Sequence, residues 1–160
     1  MPVALSPSVF SRPGSDGDFG WMIEQPQWQR ALFIFNDNES QSQAFLAEAA
    51  SEHIEPSSIA CQAGGGNAVI RPYQCRVPRR AVGVPTGPGY VRLTEHAKRR
   101  IDAAIIYIGE LLASDERLTE VIYSASQSDP NVLGHGIFDV GEDVLRYIPA
   151  ALRRVVEGSR

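Results

Sequence analysis

The chain has 160 residues, 43% hydrophobic and 21% charged, the composition of a single globular domain rather than of a disordered or fibrous chain. Its 15 basic and 19 acidic residues leave a net charge of −4, which excludes a surface built mainly to neutralise the phosphates of duplex nucleic acid. Charge, Gly or Pro interrupts every apolar run well short of the about 18 residues that a membrane helix needs, and the start MPVALSPSVF lacks the basic stretch that precedes the apolar core of a secretion signal.

Residues 1–18 are rich in Ser, Pro, Gly and Asp and show neither strand nor helix periodicity, so they read as an irregular arm. Residues 19–30 carry both tryptophans, Trp21 and Trp28, and are expected to anchor that arm to the core, which makes 1–30 an N-terminal unit and 31–160 the domain proper. ALFIF at 31–35 is a continuous apolar run ending in NDNES, the pattern of a strand buried on both faces that opens into a polar loop. Helix formers over 42–53 predict a helix stopped by Pro56.

Three glycines follow at 64–66, between short apolar segments, and predict a tight loop running into a helix or strand. AVGVPTG from 81 reads as a short strand. Thr94 suits an N-cap, and Ile101, Ile105, Ile108 and Leu112 recur at helical spacing behind it. EVIYS at 120–124 is a further strand, and 143–156 is a helix with Pro149 inside it. This alternation predicts a three-layer α/β domain with a mixed, mostly parallel sheet, whose ligands bind beyond the carboxyl ends of the strands.

Two cysteines, Cys61 and Cys75, and three histidines suggest neither a disulfide framework nor a structural zinc site, and a reducing, cytoplasmic setting is expected. No metal and no cofactor is expected. A nucleophilic role for either thiol would need a base that the neighbouring sequence does not supply. The pairs Arg79–Arg80 and Arg99–Arg100 read as solvated charge.

Three loops after predicted strands can carry chemistry: Asn36, Asp37 and Asn38; Gly64, Gly65, Gly66 and Asn67; and Gly134, His135 and Gly136. Glycines without Cβ atoms let backbone amides approach a diphosphate closely, and a following helix adds the positive end of its dipole. Arg71 can pair with a phosphate or with a protein carboxylate. His135 suits either an exposed loop or a ligand contact, and Phe138 either the core or stacking on a ring. Tyr90, after TGPG, can flank the same cleft or pack beside it.

The segments IFNDNE, QAGGGNAVIR, AVGVPT and YSASQSDPNVLGHGIFDVGEDVLRYI together resemble the macrodomain family in its broad sense, including small phage-type members. The resemblance implies an ADP-ribose ligand held by Gly64, Gly65 and Gly66 as one phosphate loop. Gly134, His135, Gly136, Ile137 and Phe138 would form the second loop and its aromatic, with Asn36, Asp37 and Asn38 at the strand end. Asn36 and Asn38 stand closer together than the family pattern has them, and Asp139 replaces a glycine after the aromatic. The resemblance therefore implies binding without an assigned catalytic residue, as in a viral sponge that sequesters a nucleotide messenger in host cytoplasm. Two other readings stand beside it: an ADP-ribosyl hydrolase, and an assembly module whose aromatic arm packs on another copy to give a homo-oligomer.

Overall fold

The structure, a computed structural model, describes residues 2–136 and 138–159. Four strands, β1 (Ala4–Ser8), β2 (Ala31–Asp37), β3 (Ala81–Pro85) and β4 (Glu120–Ser124), form one sheet in the order β1-β4-β2-β3. Every pairing between these strands is parallel, so the mostly parallel sheet expected from sequence is parallel throughout its named strands, and an isolated antiparallel bridge joins Ala125 and Leu133. The four main helices are α1 (Phe19–Met22), α2 (Glu39–Glu48), α3 (Glu95–Ser114) and α4 (Glu142–Glu157), and a 3-10 helix spans Gly66–Gln74.

Strand alternation divides the core into two faces. From β2, Leu32 and Ile34 point to one side, where Val82, Val84, Val121 and Tyr123 meet Ile101 and Ile108 of α3 and Val144 and Ile148 of α4. Phe33 and Phe35 point to the other side, among Phe19 and Met22 of α1 and Ala68 and Ile70 of the 3-10 helix. The run ALFIF is apolar throughout because both faces of β2 are covered. Helix α2 contributes Phe45 to a third, smaller cluster with Ile54 and Ala60, and the Phe45 ring meets Tyr107 of α3 edge-on at 5.3 Å. Layers of helix, sheet and helix thus form an α/β architecture.

Four local expectations change. Residues 4–8 are not part of an irregular arm: they form edge strand β1, with Ala4 opposite Glu120 and Ser8 opposite Ser124. Pro7 is compatible with that position because an edge strand need not donate on both sides. Helix α2 starts earlier than the 42–53 pattern suggests, since the Asn38 side chain accepts from Gln41 N and caps it.

Cys61 and Cys75 do not stand alone but form a disulfide. Arg79 and Arg80 are not solvated. The Arg79 guanidinium donates to the carbonyls of Gln74, Ala49 and Ser51, and that of Arg80 donates to those of Ala31 and Trp28. Carbonyls at turns, helix ends and the start of β2 thus give the buried Arg79 and the half-buried Arg80 their partners.

Candidate functional site

The strand order places the crossover from β2 to β3 on one side and the return to β4 on the other, so a crevice opens where β2 and β4 lie side by side. A cavity of about 1200 Å³ occupies the carboxyl end of the sheet there. All three predicted loops line it, together with residues 9, 10 and 13 of the N-terminal segment, Ser124 at the end of β4, and Ala125, Ser126 and Gln127 after it. Sequence reading missed those additions, since residue 10 reaches the cavity only because β1 pairs beside β4.

Asn36 and Asp37 are consecutive on β2 and therefore face opposite ways. The Asn36 side-chain amide donates to the Gly134 carbonyl at 2.6 Å, and Gly134 N donates to Ser124 O at 2.9 Å. The second glycine loop is thereby tied to β2 and β4 at once. Asp37 turns toward the 3-10 helix, where its Oδ1 accepts from Arg71 Nη2 at 2.6 Å and from Asn38 N at 2.8 Å. Arg71 also donates from Nη1 to Gln62 O at 2.7 Å, and its guanidinium lies 5.7 Å from the Phe35 ring centre.

The pair is buried, with Asp37 2% and Arg71 3% exposed. Burial pushes the Asp37 carboxyl above its ordinary pKa, opposed by the Arg71 charge and hydrogen bonds. Among the described residues Asp37 Oδ2 and Arg71 Nε find no hydrogen-bond partner. Room for the carboxylate comes from Gly83 on β3, where a Cβ would stand 2.4 Å from Asp37 Oδ2.

The remaining polar candidates are also engaged with protein. Asn38 caps α2, and its side-chain nitrogen donates to Gln41 Oε1 at 2.6 Å. Asn67 accepts from Phe19 N at 3.0 Å and so joins the first glycine loop to α1. By contrast, a Cβ at Gly65, Gly66 or Gly136 would meet no atom within 4 Å, so these backbones face open space. His135 is exposed at the cavity wall. Phe138 is half-buried beside Gly87, whose Cβ position would lie 3.1 Å from the ring. Ile137 lies outside the described residues.

The chain matches no family model, no curated protein and no solved structure. Tyr90, expected near the cleft, packs beside it: its hydroxyl donates to Glu39 Oε1 at 2.7 Å, and His96 Nε2 lies 2.5 Å from the same oxygen. Among the described residues no group of three or more His, Cys, Asp or Glu side chains is placed to hold a metal ion, and no helix is long and apolar enough to cross a membrane.

Proposed function

We propose that this chain binds ADP-ribose or a related nucleotide in the cavity at the carboxyl end of its sheet, and returns it chemically unchanged. The observation that carries the reading is the convergence of two glycine loops with open backbone, at Gly65–Gly66 and at Gly136, on one crevice. Small-ligand pockets commonly measure about 300–1,000 Å³, so a cavity of about 1200 Å³ suits a ligand of two joined parts. Gly65 caps the 3-10 helix that begins at Gly66, so the first amides of that turn have no partner inside the helix and can donate to an anion.

Electrostatics select this mode over capture by free cations. Arg71 is neutralised by Asp37, and Asp18 and Glu142 add negative charge to the lining. A diphosphate here would be held by backbone N–H groups. Binding is favoured over hydrolysis because the side chains of Asn36, Asp37 and Asn38, the groups of the right type to orient a water, are each bonded to protein. The resemblance to phage-type macrodomains extends this reading to sequestration of a nucleotide signal.

Titration calorimetry with ADP-ribose tests it. Wild-type protein should bind, and Gly65→Glu and Gly136→Glu should each lose binding while keeping the wild-type melting temperature, because the new carboxylate enters open space and repels phosphate. Unchanged affinity in both folded variants would overturn the reading. Cleaved product recovered after long incubation would replace it with a hydrolase.

A further inference from the structure

We infer that Phe10, on the N-terminal segment, is the stacking platform for a flat heteroaromatic ring of the ligand, so that the base end of the cavity lies at the β1 edge. The inference rests on a nucleotide occupying the cavity. Val9 and Phe10 both line it, and they are 36% and 46% exposed, which leaves apolar side chains uncovered inside a concave wall.

Their backbone is nonetheless held. Ala125 N donates to Ser8 O at 2.8 Å just before them, and Gln127 Nε2 approaches Phe10 O at 3.4 Å. On the other side Gly17, at φ +95°, brings its backbone so close that a Cβ would stand 2.3 Å from Phe10 N. Only glycine combines that conformation with that approach. Asp18 completes the clamp, accepting from Gly14 N at 2.8 Å while it caps α1 through Trp21 N. On a held backbone a phenyl ring has only its two side-chain torsions to lose when a partner covers it, the property that favours aromatic residues as recognition anchors.

The surroundings select the partner. Ser126 and Gln127 line the same cavity, and β4, which they follow, is paired to β1, which Phe10 follows. Ser126 meets Ser128 and Gln127 approaches Phe10 O, yet a hydroxyl and a side-chain amide can each take a further hydrogen bond, which an aliphatic group laid on Phe10 would not offer. A heteroaromatic ring offers a π-face to Phe10 and hydrogen-bonding groups at its edge. The glycine loops hang from β4 and β2, whereas Phe10 stands beyond β1. Strands are about 4.8 Å apart, so the ring end lies roughly one to two strand spacings from the phosphate end, a separation that a ribose can bridge.

Three probes separate this assignment from the nucleotide reading on which it rests: ADP-ribose, adenosine, which has the ring without phosphate, and ribose 5-phosphate, which has phosphate without the ring. Phe10→Ala should weaken ADP-ribose and adenosine by about tenfold to a hundredfold, the usual loss when a stacking aromatic is truncated, and leave ribose 5-phosphate unchanged. Phe10→Tyr should restore both, and Gly65→Glu should show the opposite pattern, losing ribose 5-phosphate and retaining adenosine. Equal adenosine affinity in wild type and Phe10→Ala would overturn the platform while leaving the phosphate loops standing. So would equal loss of all three probes in Phe10→Ala, which would mark a structural role. Failure of wild-type protein to bind any probe would remove the nucleotide reading and the platform together.

Discussion

The two glycine loops of the cavity are alike in sequence and held in different ways. The loop at 134–136 hangs from the sheet by neutral hydrogen bonds, Asn36 to Gly134 O and Gly134 N to Ser124 O. The loop at 64–66 is fixed by a buried ion pair, by Asn67 on α1, and by a disulfide that joins residues on either side of it. Both anchors start from one dipeptide: Asn36 and Asp37 lie on opposite faces of β2, and each reaches the loop on its own face. Polar residues at a strand end thus serve here as struts for the surfaces that would meet a ligand.

The ion pair gives the sharpest way to break that asymmetry. Asp37→Ala leaves Arg71 charged and buried without its carboxylate, and the expected loss is about 3–5 kcal/mol, the range for removing one partner of a buried pair. Urea denaturation measures it. Gly83→Ala should weaken the same pair from the other side, since the added methyl would overlap Asp37 Oδ2. The replacement of both charges by Asp37→Leu with Arg71→Met should cost less than Asp37→Ala alone. If the double variant is the less stable, the pair stabilises the fold outright and is more than a strut for the loop.

The disulfide comes next. Its cysteines are 14 residues apart, and closing a loop of about that length stabilises by about 3 kcal/mol through the unfolded chain. Thermal melts of wild type with and without a dithiol reductant, and of Cys61→Ser with Cys75→Ser, should show this loss. Hydrogen exchange should rise in 62–75 and stay unchanged in 134–136. Equal loosening of both loops would mean that they are one cooperative unit, and the comparison would collapse.

The weaker loop is tested by Asn36→Ala, which removes one neutral hydrogen bond to a half-buried carbonyl and should cost about 1 kcal/mol. Its mark should be faster exchange around Gly134 with 64–66 protected as in wild type.

How far the sequence alone reached follows from the range of each interaction. β2 was legible because burial on both faces leaves an unbroken apolar run, and α3 because Thr94 and the Ile101, Ile105, Ile108, Leu112 series signal it locally. The start of α2 was not: the helix formers from 42 onward mark its body, whereas its first turn depends on the Asn38 side chain accepting from Gln41 N while Asn38 N is held by Asp37. Strand β1 was not. Its five residues include a proline, and its partner strand lies more than a hundred positions away. The roles of Asn36, Asp37 and Arg71 were hidden for the same reason. Residue type announces a polar cluster, but only the 3-10 helix and the Gly83 gap decide that Asp37 meets Arg71. The convergence of the glycine loops was legible in part: the loop at 134–136 comes after β4, as expected, but the loop at 64–66 follows a 3-10 turn at Ile59–Cys61 instead of a strand, and the Asp37–Arg71 pair ties its helix to the same end of the sheet.

The smallest expected effect lies just outside the cavity and shows whether charge there acts as the static anchors do. Burial would raise the Glu39 pKa, but hydrogen bonds from Tyr90 and His96 and the charges of His96 and Arg100 outweigh it and hold the carboxyl below its ordinary value. Glu39 is thereby an acid whose folded pKa lies under its unfolded one. Its stabilising contribution is present above the unfolded pKa, and it fades as pH falls from the ordinary carboxylate range, near 4.5, through the lowered folded value. Glu39→Gln should therefore cost about 0.5 kcal/mol at pH 7, within the range for a partly exposed pair. The difference from wild type should shrink toward zero in urea titrations at successively lower pH. A constant difference across that range would show that shape at the α2 start matters and the carboxylate's charge does not. Because Glu39 N also donates to Gly87 O at 2.8 Å, and Gly87 backs the Phe138 ring, the same acid titration followed by hydrogen exchange at 86–91 would report whether this outer anchor reaches the cavity wall.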